Sequence, residues 1–217
     1  MAPRRYQGQR RRLDTAETRR RILDAAAELH TKHGVKATTY AMIAERADVA
    51  VPTVYNHFPT LDGLQAACGG EIMAKAPALG ADMFAGAEDL DERIDALARA
   101  INAFYRFVAP WWRWTFYESR FLAELEPRYK KAAKQRRELL ALALAPAFGT
   151  QAPEPLLSLC ESVIDFPSWE RLTGEHGLDD AQAAQAMRDG LLALAERHRA
   201  SLGERTAPRR GAPRPKQ

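Results

Sequence analysis

The sequence predicts an all-α protein: an N-terminal three-helix domain containing a helix-turn-helix, followed by a larger helical domain. Three observations carry this reading. Apolar residues recur at three- and four-residue spacing along most of the chain, and no alternating strand pattern interrupts them. Residues 38–64 form two short helical patterns separated by a tight turn. At 217 residues, the chain has room for one small domain and a second with a sizeable core.

The elements follow in order. Residues 1–13 are expected to be a basic, disordered arm, since residues 1–12 hold Arg4, Arg5, Arg10, Arg11 and Arg12 and no acid. Such an arm can follow phosphates or reach a minor groove. Asp14 and Glu17 have capping-box spacing and open the first helix, with Ile22, Ala26 and Leu29 on one face. Gly34 is placed to end it in a left-handed conformation. Thr39 opens the next helix, whose inward positions are Ile43, Ala44 and Ala47, and Asp48-Val49-Ala50 makes the turn. Pro52 starts the second short helix, carrying Val54, Tyr55 and Phe58; proline is tolerated where a first-turn N–H has no intrahelical partner. The second helix of such a pair can enter the major groove of DNA. The DNA-binding domain is expected over residues 14–60.

A helical ligand-binding and dimerisation domain is expected over 61–202. Its first helix begins near Leu61 with Leu64, Ala67, Cys68 and Ile72, and Pro77 interrupts it. The next runs from about Leu90 to Val108 with Ile94, Leu97, Ala98, Ile101, Phe104 and Phe107 inward. Pro110 and Pro127 should each open a further helix. Two helices of broad apolar surface close the domain, at about 154–173 and 179–202, with Pro167 kinking the first. Such helices need partners on two sides, supplied either by a buried core of the single chain or by a second copy. The Pro/Arg-rich stretch 203–217 is expected to be a disordered basic tail.

Composition excludes several classes. Hydrophobic residues make up 46% of the chain without a run long enough to cross a bilayer, so no membrane partner is expected. The basic N-terminus lacks an apolar core of the secretory type, which fits a cytoplasmic setting. Cys68 and Cys160 have no ligand-like spacing and are expected as buried thiols, with no metal and no cofactor. His30, His33, His57, His176 and His198 are scattered, and none belongs to a nucleophile motif, so the chain does not read as an enzyme. A small helical enzyme assembled only in three dimensions is the remote rival. Residues 13–70 hold six basic and seven acidic side chains, so the basic character sits in the arm that precedes them.

Residues 104–117 contain eight aromatics, including three of the four tryptophans. Most such rings serve a core, yet their density in a helical domain suggests a cavity with aromatic walls for a small, largely apolar or aromatic molecule. Candidate ligand-binding residues are Phe104, Phe107, Trp111, Trp114, Tyr117, Glu118, Phe121, Asp165 and Trp169. Acids such as Glu118 and Asp165 suit a cation, while Arg106, Arg113 and Arg120 suit an anion, so the charge of the effector stays open.

Ile43-Ala44, Ala47, Val49 and the run Thr53-Val54-Tyr55-Asn56-His57-Phe58, followed by a short helix from Thr60, resemble the DNA-binding domain of the tetracycline-repressor (TetR) family. The resemblance is specific over about residues 15–68. It implies a dimeric regulator, most often a repressor, that binds double-stranded DNA at a near-palindrome and is released by a small-molecule effector. For the last two helices it implies a homodimer interface at Leu156, Leu159, Val163, Met187, Leu191 and Leu194. Position by position, it implies base contacts from Val51, Pro52 and Thr53, a base or phosphate contact from Asn56, and phosphate contacts from Thr39, Tyr55 and His57. Arg10, Arg11 and Arg12 of the arm join this set. Ala50, Val51-Pro52 and Leu61 depart from the family's usual residues and leave the folded body poor in phosphate contacts. A DNA-binding regulator controlled by a protein partner, without a small-molecule pocket, is the alternative.

Overall fold

A computed structural model of the chain describes residues 4–119, 126–149 and 152–206, with the backbone alone at 4–12, 115, 128 and 202–206. Among the described residues there is no strand. The helices are α1 (Arg4–Ala37), α2 (Tyr40–Ala47), α3 (Val51–His57), α4 (Leu61–Lys75), α5 (Leu90–Glu118), α6 (Glu126–Phe148), α7 (Glu154–Val163), α8 (Phe166–Glu170) and α9 (Asp180–Thr206). A 3-10 turn, Ala81–Phe84, precedes α5, and a π turn, Arg171–Glu175, follows α8. The chain divides into two compact units, one of residues 1–77 and 106–132, the other of residues 78–105 and 133–217.

The division differs from the linear one expected, because the first unit also takes the end of α5 and the start of α6. Its core is built from Ile22, Leu23, Ala26 and Leu29 of α1, Ile43, Ala44 and Ala47 of α2, Val54 and Phe58, and Leu64 and Cys68 of α4. Two departures concern its N-terminal side. The helix begins at Arg4, so most of the arm expected to be disordered is helical, and Asp14 is an interior residue whose carbonyl accepts from the Thr18 hydroxyl. Gly34 breaks α1 with φ 78°, as its position suggested, although helical residues resume as far as Ala37.

The second unit packs Ile94, Leu97, Ile101 and Tyr105 of α5 with Leu140 and Leu144 of α6, Leu156 and Cys160 of α7, Phe166 and Trp169 of α8, and Met187 and Leu191 of α9. Polar groups in this interior are paired across long sequence distances. The Trp169 indole donates to Asn102 Oδ1 at 2.9 Å, and Asn102 donates to the Asp180 carbonyl at 3.1 Å. The Tyr105 hydroxyl donates to the Ile164 carbonyl at 3.0 Å. Arg136, 7% exposed, reaches Glu161 Oε1 at 3.3 Å, and Arg137 takes the other Glu161 oxygen at 2.9 Å.

Of the prolines expected to shape long helices, Pro110 acts differently, and Pro167 lies beside the local distortion expected of it. Pro110 lies inside α5, which continues past it to Glu118. The helix expected over 154–173 is interrupted near Ile164, just before Pro167: Asp165 caps α8 by accepting from Ser168 N at 2.8 Å, and Pro167 sits in its first turn. Proline is favourable there because that N–H has no helical acceptor. Pro127 occupies the corresponding place at the start of α6, as expected.

Candidate nucleic-acid interface

Local rules build the helix-turn-helix. Thr39 is extended and its hydroxyl oxygen accepts from Met42 N at 3.2 Å, capping α2. Asp48 closes α2 in the left-handed conformation (φ 53°, ψ 56°), and its N–H bonds back to the carbonyls of Ala44 and Glu45. Ala50 takes the extended cap conformation before α3 but offers no side-chain acceptor, and Pro52 follows in the first turn. Thr60 caps α4 by accepting from Gly63 N at 3.1 Å. Arg21 of α1 donates to the carbonyls of Ala47 and Asp48, the latter at 2.6 Å, and so pins the turn from outside. The Tyr40 hydroxyl donates to the Phe58 carbonyl at 2.7 Å, and the Tyr40 ring lies 4.6 Å from that of Tyr55.

This framework presents the outer face of α3 to solvent. Val54 is fully buried, whereas Val51, Pro52, Tyr55 and Asn56 are exposed and Thr53 and His57 are half-buried. Thr39 is exposed at the start of α2. The helical backbone of Arg10, Arg11 and Arg12 continues directly into α1. Several cations of the body are already engaged: Arg46 and Lys32 both hold Glu28, at 2.5 and 2.8 Å, and Arg20 pairs with Asp24 at 3.6 Å. Hydrogen bonds from Lys32 and Arg46 hold the Glu28 carboxyl below its usual pKa. Arg19 stands over the Phe58 ring, 5.0 Å from its centre.

The end of α5 is bonded to α1 within the first unit. The indole of Trp111 donates to the Ala27 carbonyl at 3.1 Å, and that of Trp114 to the Thr31 carbonyl at 3.0 Å. One turn further, the Glu118 carboxylate accepts from Val35 N at 2.9 Å and Lys36 N at 3.1 Å. These are the donors that the break at Gly34 exposes, so Glu118 supplies the acceptor that the helix there lacks. The carboxylate also explains the glycine: a Cβ at residue 34 would stand 2.5 Å from Glu118 Oε1.

The expected ligand-binding residues are therefore divided. Phe104, Asp165 and Trp169 belong to the second unit; Phe107, Trp111, Trp114, Tyr117 and Glu118 belong to the first; Phe121 lies outside the described residues. Of these, Asp165 is occupied as a helix cap and Trp169 by Asn102. A concavity of about 480 Å3 in the second unit is lined by Glu88, Asp91, Pro146, Leu192 and Arg199 among others, and by none of the expected ligand-binding set.

The expected dimer residues also separate. Leu156, Met187 and Leu191 are at most 2% exposed within the single chain, so they have no surface left for a partner. The inward stripe of α7 and α9 was assigned outward. Leu159, 56% exposed, and the half-buried Val163 and Leu194 do present surface. Sequence reasoning missed Arg21, Tyr40 and His30. The first two act on carbonyls distant in sequence and leave no local signal. His30 is 5% exposed in the first core, 4.0 Å from Cys68 Sγ, and its Nε2 has no hydrogen-bond partner. Burial pushes its pKa down to about 4 and pushes the Cys68 thiol up to about 11, so both are neutral and the thiol is unreactive at pH 7. Cys160 is buried as well, its thiol likewise pushed up to about 11.

Comparison with known proteins bears on the same region. Residues 22–68 match the family model for bacterial regulatory proteins, tetR family. A 44-residue stretch is 52% identical to the HTH-type transcriptional repressor KstR of Rhodococcus jostii (strain RHA1), covering 20% of this chain and 21% of that relative. The match thus spans about a fifth of the length of the curated relative. Two solved structures extend the likeness in fold. The multidrug binding protein EbrR, complexed with imidazole, is 23% identical with a TM-score of 0.56, over 81% of this chain and 88% of its own. A Saccharomonospora viridis protein in complex with choline is 20% identical with a TM-score of 0.60, over 80% and 95%.

Proposed function

We propose that this chain, which belongs to the tetR family of bacterial regulatory proteins through its N-terminal domain, is a dimeric transcriptional repressor released from its operator by a small molecule. The observation that carries the reading is α3: a short helix set at a tight turn, with Val51, Pro52, Tyr55 and Asn56 exposed, inside the segment that matches the family model. Val51, Pro52, Thr53 and Asn56 meet base edges in the major groove. Thr39, Tyr55 and His57 hold phosphates, and Arg10, Arg11 and Arg12 add contacts along the backbone. Two copies joined through the outer face of α7 and α9, around Leu159, Val163 and Leu194, place two recognition helices on a near-palindrome. The chain works in the cytoplasm, where its operator is.

Imidazole and choline in the neighbouring structures support a small-molecule effector, and the aromatic run 104–117 supports a small, largely apolar or aromatic one. Release follows from differential affinity: the effector favours a dimer whose recognition helices no longer match successive major grooves. By reciprocity, operator DNA weakens effector binding by the same factor. The covalent route is α5, a single helix with Phe104 and Tyr105 in the second unit and the α1-bonded Trp111, Trp114 and Glu118 in the first. The test is selection of sheared host DNA by the full-length protein. The expected result is one short near-palindrome. Recovery of no motif, with binding that vanishes at moderate salt, would overturn the reading.

A further inference from the structure

We propose that α3 reads its half-site through thymine methyl groups and adenine edges, so that the operator carries successive A·T pairs where this helix enters the groove. The inference rests on the repressor reading and deepens it by naming the class of DNA. It starts from what the exposed face of α3 contains and what it lacks. The helix, Val51-Pro52-Thr53-Val54-Tyr55-Asn56-His57, carries no arginine, lysine or acid. A guanine is read best by the forked or pointed donors of Arg or Lys on O6 and N7, and a cytosine amine by Glu or Asp. Neither kind of contact is available from this helix.

What it does present is matched to the other base pair. Val51 is 37% exposed and Pro52 is exposed beside it, an apolar step at the end of the helix that meets the bases first. Packing does not require this surface: the inward side of α3 is served by Val54 at 0% and Phe58 at 4% exposure. Pro52 has a helical reason to be there, but a β-branched valine at the first helical position has none. An exposed apolar step is complementary to the C5-methyl of thymine, the one apolar group on a major-groove base edge. Asn56 lies four residues after Pro52, one turn along the same face, and is exposed. Its amide can pair with N6 and N7 of adenine, the partner of thymine. The methyl of Thr53 adds to the same surface.

The surrounding charges agree. Arg21, Arg46, Lys32 and Arg20 are engaged with protein carbonyls or carboxylates, so the body around α3 has few cations left to dominate binding through phosphates. Discrimination then falls to short-range apolar contact, which is insensitive to salt.

The experiment uses the full chain and a random duplex library, selected at near-physiological salt, followed by replacement of single thymines with deoxyuridine. Uracil removes one methyl and leaves every hydrogen-bonding edge of the pair intact. The expected result is a half-site with adjacent A·T pairs, at which each uracil weakens binding about fourfold, the effect of withdrawing one buried methyl. Val51→Ala, a change at an exposed position, should abolish the uracil penalty at one base pair and leave the others. Full affinity on uracil-substituted sites, or a half-site with G·C at the α3 positions, would overturn the inference and leave the repressor reading standing. Enrichment of no site at all would remove both.

Discussion

The helix-turn-helix and the interior of the second unit solve the same problem, the pairing of buried or orphaned polar groups, at opposite ranges. Around α2 and α3 the helix ends are closed by partners three to four residues apart: Thr39 with Met42, Thr60 with Gly63, Asp48 with Ala44 and Glu45. Bonds from Arg21 and Tyr40 reach further there. In the second unit the partners of Asn102 are Trp169 and Asp180, 67 and 78 residues away, and Tyr105 reaches Ile164 across 59. A region paired locally forms from its own sequence and tolerates a lost bond. A region paired at long range exists only when the whole unit is assembled, so each bond removed falls on the cooperative fold.

The largest test of this contrast is a pair of substitutions. Trp169→Ala empties a site that is 1% exposed and takes away the donor on Asn102 Oδ1, and should cost about 3–5 kcal/mol. Thr39→Ala removes a cap acceptor and should cost about 1 kcal/mol. Urea denaturation of both variants checks the ratio. Equal costs would break the comparison.

Within the first unit His30 and Gln65 depart from this pattern: each is buried with a side-chain atom, Nε2 and Oε1, that has no hydrogen-bond partner. Burial lowers the pKa of His30 in the folded chain from 6.5 to about 4. Above pH 6.5 both folded and unfolded chains carry it neutral, and it has no effect on stability. Below that, the unfolded chain binds a proton that the folded chain does not, so stability falls with falling pH until about pH 4. The full loss is about 3 kcal/mol. Denaturation midpoints measured between pH 7 and 4 should therefore show a slope that His30→Leu flattens. An unchanged slope in that variant would mean that His30 is solvated in the native state.

The same division of ranges explains what was legible in the sequence. The cap at Thr39, the positive φ at Gly34, the placement of Pro52 and Pro127 and the inward faces of α2 and α4 all follow from neighbours within a turn. The exposure of Val51, Pro52, Tyr55 and Asn56 on α3 was legible for the same reason. Beyond the early start of α1, errors arose where a distant partner outweighed a local signal. Pro110 looks like a helix start, but the helix continues across it, with Val108 and Ala109 buried before it and the Trp111, Trp114 and Glu118 bonds to α1 after it. Those same bonds tie Trp111, Trp114 and Glu118 to α1 within the first unit, which composition alone does not reveal. The dimer assignment failed for Leu156, Met187 and Leu191 because a helix with two apolar faces does not declare which face its own chain will cover.

Ala50 gives the smallest and most discriminating test. It stands at the cap of α3 in the extended conformation a capping serine would adopt, φ −73° and ψ 146°, yet contributes no side-chain bond. Serine at a helix cap ordinarily adds about 1 kcal/mol by accepting from the second or third N–H of the helix. Here the second helical residue is Pro52, which has no N–H, and the third, Thr53, already donates to the Ala50 carbonyl at 2.8 Å. Both usual donors are thus missing or engaged, and Ala50→Ser should gain no more than about 0.5 kcal/mol in urea denaturation. The departure from a capping residue is then cheap because the proline beside it has removed the need. A gain of a full cap would mean that the Thr53 N–H is free, and that the turn before α3 is held by Arg21 rather than by its own backbone.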